Sequence, residues 1–277
     1  MIDLNIISHK VEFVIYIDHF KYLYIKDYNI KRGIINCLDG FFCKEKDSEF
    51  AIETKMTNKI FSDGKLINVN DFDYFKITEN FDIKNELKLG TKTLFSRYLE
   101  LKLEKIEYTE NFQTLEYLLE DLNNILKERI VEDISVLNLR INIELEKKQL
   151  LKLITLNIMK EELISNFLDI SYYEIIELQL EMLLAITKEV SKKTIIAIDT
   201  PYIKESWLQF IKLFPKNVYI LLFPNALQYA QPKDVFILKD NIQIDLFDDN
   251  SLYELCMNEN TNYTIEEYRN FLMQQLI

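Results

Sequence analysis

The sequence predicts an α/β fold, with a head built on a mostly parallel sheet from both chain ends and an extended α-helical leg inserted between them. Three observations lead there. Residues 1 to about 80 read as short strands. A long middle stretch carries helical periodicity, and no glycine or proline falls between Gly90 and Pro201 to break it. Residues 194–223 then read as strand, helix, strand, the signature of a crossover between parallel strands.

In chain order, Leu4-Asn5-Ile6-Ile7, Val11 to Ile17 and Tyr22 to Ile25 are rich in β-branched and aromatic residues, with charged residues and Asn between them. Arg32 to Phe42 predicts a short helix with Ile34, Ile35 and Leu38 on one face. Leu66 to Val69 and Tyr74 to Ile77 read as a strand and its continuation. From about Asn85 the period changes: Leu87, Leu94, Tyr98, Leu101 and Leu103 begin a helical pattern, and Phe112, Leu115, Leu118, Leu119, Leu122, Ile125 and Leu126 continue it. Val136 to Leu145 alternates apolar and polar, as a short strand or an irregular corner would. Leu150 to Met159 and Tyr172 to Val190 return to the helical period, and Ser171 with Glu174 forms a capping-box pattern.

Thr194 to Asp199 is a continuous apolar run closed by an acid, the pattern of a strand buried on both faces. Trp207 to Phe214 is an amphipathic helix, Val218 to Phe223 a second buried strand, and Asp234 to Leu238 a third. Thr264 to Leu276 closes the chain as a helix capped by Thr264, with Glu267 at N3. The domains expected are a discontinuous head, 1–97 with 192–277, and a leg, 98–191.

The 277 residues are 48% hydrophobic and 13% aromatic, which excludes a disordered chain; 28% are charged, with no long apolar run that would span a membrane. Met1 to Ile7 lacks a basic segment followed by an apolar one, and the three cysteines have no CxxC spacing, so a cytoplasmic protein is expected. The net charge is −12, but it is unevenly spread. Met1 to Lys65 carries ten acidic and ten basic side chains, whereas Asp240 to Ile277 carries eight acids against Arg269 alone. The first segment can therefore still present a basic face.

Asp199 ends its strand as a magnesium-holding aspartate does in phosphate-loop enzymes, but the partner motif GxxxxGK[ST] is absent. The plainer reading makes Asp199 a polar strand end before the Thr200-Pro201 turn. His9 and His19 are the only histidines, and neither joins a catalytic set. Asn142, Glu144 and Glu146 alternate, so three oxygen-bearing side chains share one face of an extended segment. Such a set suits Ca²⁺ or Mg²⁺ rather than zinc, or it is a solvated acidic face that Lys147 and Lys148 neutralise. Lys10, Lys21, Lys26, Lys31, Arg32, Lys55, Lys59 and Lys65 recur across several short elements. One sheet face could gather them into a stripe tracking phosphates, although ordinary surface lysines share that spacing.

The order of elements resembles the Csn-two family, CRISPR-associated proteins of type II-A spacer acquisition. The likeness rests on Leu4-Asn5-Ile6, on Lys55-Met56 followed by Lys59, and on Leu66 to Asp71. It continues through Asn142 to Glu146 with Leu150 to Ile154, Glu174 to Ile186, Lys192 to Ile198 and Val218 to Phe223. It spans about residues 1–240, and order and hydrophobic pattern carry it rather than one motif. The resemblance implies a degenerate P-loop or ATPase-like head with helical legs, no catalysis, and a ring-shaped homotetramer around double-stranded DNA that prefers free ends. It also implies Ca²⁺ near the head–leg junction and action beside the adaptation integrase and the Cas-nine effector nuclease. Carried over residue by residue, the acidic segment is Asn142, Glu144 and Glu146; one position is an amide and Lys147 follows, which lowers its negative charge.

The expectation is thus a non-catalytic ring that binds duplex ends through Lys10, Lys26, Lys31, Arg32, Lys55 and Lys59, with no membrane role. Two rivals remain open: a nucleotide-hydrolysing enzyme with a divergent phosphate loop, and a helical protein–protein adaptor without DNA.

Overall fold

The computed structural model describes residues 1–7, 12–43, 58–62, 64–86, 93–106, 113–115, 117–122, 124–125, 158–160, 163–165, 169–239, 242–258 and 263–276. The chain divides into two compact units, 1–81 with 172–277, and 82–171.

The first unit begins with β1 (Ile2–Ile7) and β2 (Glu12–Ile17). Alternation of side chains buries Ile2, Leu4 and Ile6 of β1 with Phe13, Ile15 and Ile17 of β2. With β4 (Lys59–Ser62) and β5 (Lys65–Leu66) they form an antiparallel sheet in the order β2-β1-β4-β5.

A larger sheet joins both chain ends. Its strands are β3 (Phe20–Ile25), β6 (Phe72–Thr78), β9 (Lys193–Asp199), β10 (Val218–Leu222), β11 (Val235–Lys239) and β12 (Ile242–Asp245). Their order is β12-β11-β3-β10-β9-β6, parallel throughout except for the antiparallel β11–β12 edge. The expected mixed α/β head with a mostly parallel sheet is therefore observed. β9 and β10 are the central buried strands that continuous apolar runs predict: Ile195 to Ile198 and Val218 to Leu222 are all buried. The short helix α5 (Glu205–Ile211) crosses between them. One core gathers β1, β2, Leu23 of β3, Ile195 of β9, Leu221 of β10 and the apolar face of α1 (Tyr28–Phe42).

Several boundaries differ from the sequence reading for identifiable reasons. Helix α1 starts at Tyr28 rather than Arg32, because the Asp27 carboxylate accepts from the backbone N–H groups of Asn29 (2.7 Å) and Ile30 (3.3 Å). The stretches 66–69 and 74–77 are not one strand and its continuation. Asn68 accepts from the Asn70 N–H and starts a 3₁₀ turn at Val69–Asp71, which sends the chain from the small sheet to the large one. Met159, assigned to a helix, lies in β7 (Ile158–Lys160), which forms an antiparallel pair with β8 (Leu163–Ser165). Helix α4 (Tyr172–Glu189), read as part of a leg over 98–191, belongs to the first unit. There its Gln179 donates to the Thr78 carbonyl at the end of β6 (3.1 Å), and Trp207 of α5 donates to its Glu177 (3.1 Å).

The second unit contains α2 (Ile83–Glu86) and α3 (Leu94–Ile106), with further helix at 113–115, 117–122 and 124–125. Glu86 accepts from the N–H groups of Leu94 (2.8 Å) and Phe95 (3.3 Å) and so caps α3. Leu115, Leu118, Leu122 and Ile125 are exposed along that later helical stretch. The corner expected at 136–145 lies outside the described residues. No helix among the described residues is long and apolar enough to cross a membrane.

The chain closes with α6 (Asp249–Asn258) and α7 (Ile265–Leu276). Here the expected capping box forms: the Thr264 N–H donates to Glu267 (2.8 Å), and the Glu267 N–H to the Thr264 hydroxyl (3.3 Å). Arg269, the single cation of the acidic tail, is buried and pairs with Asp249 and Glu266. A buried Lys21–Asp245 ion pair fastens β12 to β3, and Asp245 also accepts from the N–H groups of Tyr16 and Phe247 (2.9 Å each). Burial pulls the Lys21 ammonium below its ordinary pKa, and Asp245 opposes that pull.

Candidate functional site

The cleft of interest lies where β3, β9 and β6 end at their carboxyl edge, the place where open α/β sheets receive ligands. It encloses about 530 Å³. In a phosphate-loop enzyme a strand would run through a glycine-rich loop into a helix whose N–H groups hold phosphate. Here only Lys26 and Asp27 separate β3 from α1, and the Asp27 carboxylate already occupies the helix start. The first turn of α1 then supplies Lys31, whose side chain is 8% exposed. Its ammonium pairs with Asp199 at 3.1 Å and donates to the Asn225 side-chain oxygen at 3.2 Å. Asp199, the acid whose place suggested magnesium, is therefore held by a protein cation.

A second charged set stands on the same edge. Asp39 accepts from the Tyr74 hydroxyl (2.6 Å) through one oxygen and pairs with Lys76 through the other. Burial, and then the Asp39 charge, push the Tyr74 phenol well above its ordinary pKa, so it stays a donor. The structure thus gathers Lys31, Arg32, Lys76 and Asp199 around one cleft. Sequence reasoning had singled out Lys31, Arg32 and Asp199 without connecting them. It missed Lys76, Asp39 and Asn225, for which no local pattern gives a signal.

The other expected contacts fall elsewhere. Lys26 and Lys59 are exposed, as is Arg32, and none of the three side chains has an ion-pair or hydrogen-bond partner among the described residues. Lys31 is not exposed: a phosphate could reach it only by displacing Asp199 and Asn225. Lys10 and Lys55 lie outside the described residues, as do Asn142, Glu144 and Glu146. Among the described residues no group of three or more His, Cys, Asp and Glu is placed to hold a metal. His19 has a structural bond, its Nε2 lying 2.8 Å from the Ile211 carbonyl; His9 is outside the described residues.

Comparison with solved structures gives a likeness to Stu0660 of Streptococcus thermophilus, with a TM-score of 0.72 and 20% identity over 98% of this chain and 84% of that one. At that identity the likeness shows fold alone, and it is consistent with a Csn-two-like fold. The recombination mediator RecF, in the RecFOR pathway, gives a TM-score of 0.41 at 11% identity over 88% of this chain and 97% of its own, a value too low to indicate a shared fold. No family model and no curated protein matches the chain.

Proposed function

We propose that the chain is a non-catalytic, ring-forming binder of double-stranded DNA ends that acts in CRISPR type II-A adaptation. The observation that carries this reading is the Stu0660-like fold over nearly the whole chain, joined to a cleft whose magnesium-type acid is tied to Lys31. The fold supports the family resemblance read from the sequence, and the Lys31–Asp199 pair supports binding without turnover. Lys26, Arg32 and Lys59 are exposed cations whose side chains have no ion-pair or hydrogen-bond partner among the described residues, the state a phosphate contact requires. A homotetramer would bring four copies of this sparse set around a channel, and counterion release would then drive sequence-independent binding. The exposed row Leu115, Leu118, Leu122 and Ile125 is surface that an assembly of identical chains could bury. Ca²⁺ held by Asn142, Glu144 and Glu146 belongs to the proposal as an organiser of the assembly, and the adaptation integrase and Cas-nine as its partners.

Fluorescence anisotropy against linear duplex across a salt series tests the reading. Affinity should fall steeply with salt, covalently closed circles should bind poorly, and chelation should loosen the assembly seen by native mass spectrometry. Replacing Lys26, Arg32 and Lys59 by Glu should weaken binding at least tenfold. It should also flatten the salt slope, by about one for each phosphate that the variant no longer neutralises. A monomer without affinity for duplex overturns the proposal. An intact oligomer without DNA affinity would favour the helical adaptor, for which the exposed Leu115–Ile125 row is the supporting observation.

A further inference from the structure

The cleft has one wall that neither ion pair occupies. Tyr28, Arg32 and Asn36 recur at helical spacing along α1 and so share one stripe over the opening. Tyr28 is 67% exposed, a large flat ring presented to solvent beside a concave surface. Arg32 carries the cleft's guanidinium, exposed and without a partner among the described residues. Thr78 and Asn80, the Asn80 N–H donating to the Thr78 hydroxyl at 3.2 Å, also line the cleft with neutral polar side chains. Lys31 and Lys76 also reach the cleft, but Asp199 and Asp39 already balance them.

These groups ask for a ligand with a flat hydrogen-bonding ring at one end and a small negative charge at the other. The volume of about 530 Å³ suits a molecule of nucleotide size. Aromatic faces stack any base, and a guanidinium matches phosphate oxygens in pairs. Tyr28 and Arg32 lie one helical turn apart, about 5–6 Å between Cβ atoms, the order of distance between a base and its 5′-phosphate. The usual phosphate position at the helix start is closed, because Asp27 already accepts the free N–H groups there. A phosphate is therefore directed to Arg32, along the flank of α1 rather than at its tip.

We propose that this cleft binds a nucleoside phosphate, base on Tyr28 and phosphate on Arg32, without hydrolysing it. The ligand chemistry is shared by a free nucleotide and by the phosphorylated terminal nucleotide of a DNA strand. The site shares Arg32 with the proposed duplex contacts but needs neither ring formation nor Lys26 and Lys59, so nucleotide binding and duplex binding, measured separately, can each fail while the other stands.

Equilibrium dialysis of the full chain against AMP, ribose 5-phosphate and a 5′-phosphorylated DNA tetranucleotide tests it. Saturation at one site per chain by AMP or by the tetranucleotide is expected, with ribose 5-phosphate at least tenfold weaker. AMP binding assigns a free nucleotide; saturation by the tetranucleotide alone assigns a strand terminus. Tyr28→Ala and Arg32→Gln should each weaken the better ligand about tenfold or more, and Tyr28→Phe should restore it. Thermal melts check that the variants fold, and the exposed positions of both residues make that the expected result. The proposal is overturned if neither nucleotide ligand saturates at millimolar concentration. It is overturned equally if ribose 5-phosphate binds as well as AMP, if Tyr28→Ala changes nothing, or if ATP with magnesium is turned over.

Discussion

Lys31 illustrates how burial changes the meaning of a charge. Its side chain is 8% exposed and that of Asp199 38%, so one partner is nearly desolvated and the other more than a third in water. Removing Asp199 alone should cost more than removing both, since the Lys31 ammonium then stays buried against the Asn225 amide oxygen only. Asp199→Asn should lower stability by about 1–3 kcal/mol, and Lys31→Met, which leaves a carboxylate that water reaches, by less. The double variant should cost less than their sum, by a coupling of about 0.5–3 kcal/mol in urea unfolding. Simple additivity would show that the pair makes no net interaction. Asp199 was legible as an acidic strand end, and Lys31 as a cation near a helix. Their meeting was not, because only the order of strands in the sheet brings two such distant positions together.

At the scale of the element, the capping box of α7 makes a pH-dependent joint. The Glu267 carboxyl is held below its ordinary value of 4.5 by hydrogen bonds from the Thr264 backbone N–H and then from its hydroxyl. A carboxyl with a lowered folded pKa adds stability above its ordinary value, and loses it as pH falls through the folded value. Protection of the first-turn amides of α7 should therefore drop once the pH falls below 4.5, and Glu267→Gln should remove that step in hydrogen exchange. This box was readable in sequence, because Thr264 and Glu267 stand three apart before an apolar run. The start of α1 was less so. Asp27 is also a good cap, but the apolar face that marks the helix in sequence, Ile34, Ile35 and Leu38, begins well after it. Asn68 to Asp71 carried a turn signal in its two Asn residues and an Asp, yet the apolar positions on either side suggested one continuous strand.

For the whole molecule, the Lys21–Asp245 pair ties the acidic tail into the sheet rather than leaving it as an appendage. A chain ending at Lys239 would strand Lys21 in the core without its carboxylate. That truncation should lower the melting temperature by many degrees, and Lys21→Met within it should recover part of the loss; an unchanged melt would count against the pair. The parallel sheet was legible as a class, because the apolar runs at β9 and β10 allow little else. The strand order was not, since it depends on pairings over long separations. β3 is the clearest instance, flanked on one side by β10 and on the other by β11, both from the far end of the chain. During synthesis β3 leaves the ribosome with neither neighbour yet made, so its two edges wait unpaired while most of the polypeptide follows. Completion of this head is thus a late event for the nascent chain, and the interval before it is when a holdase would have the most to shield.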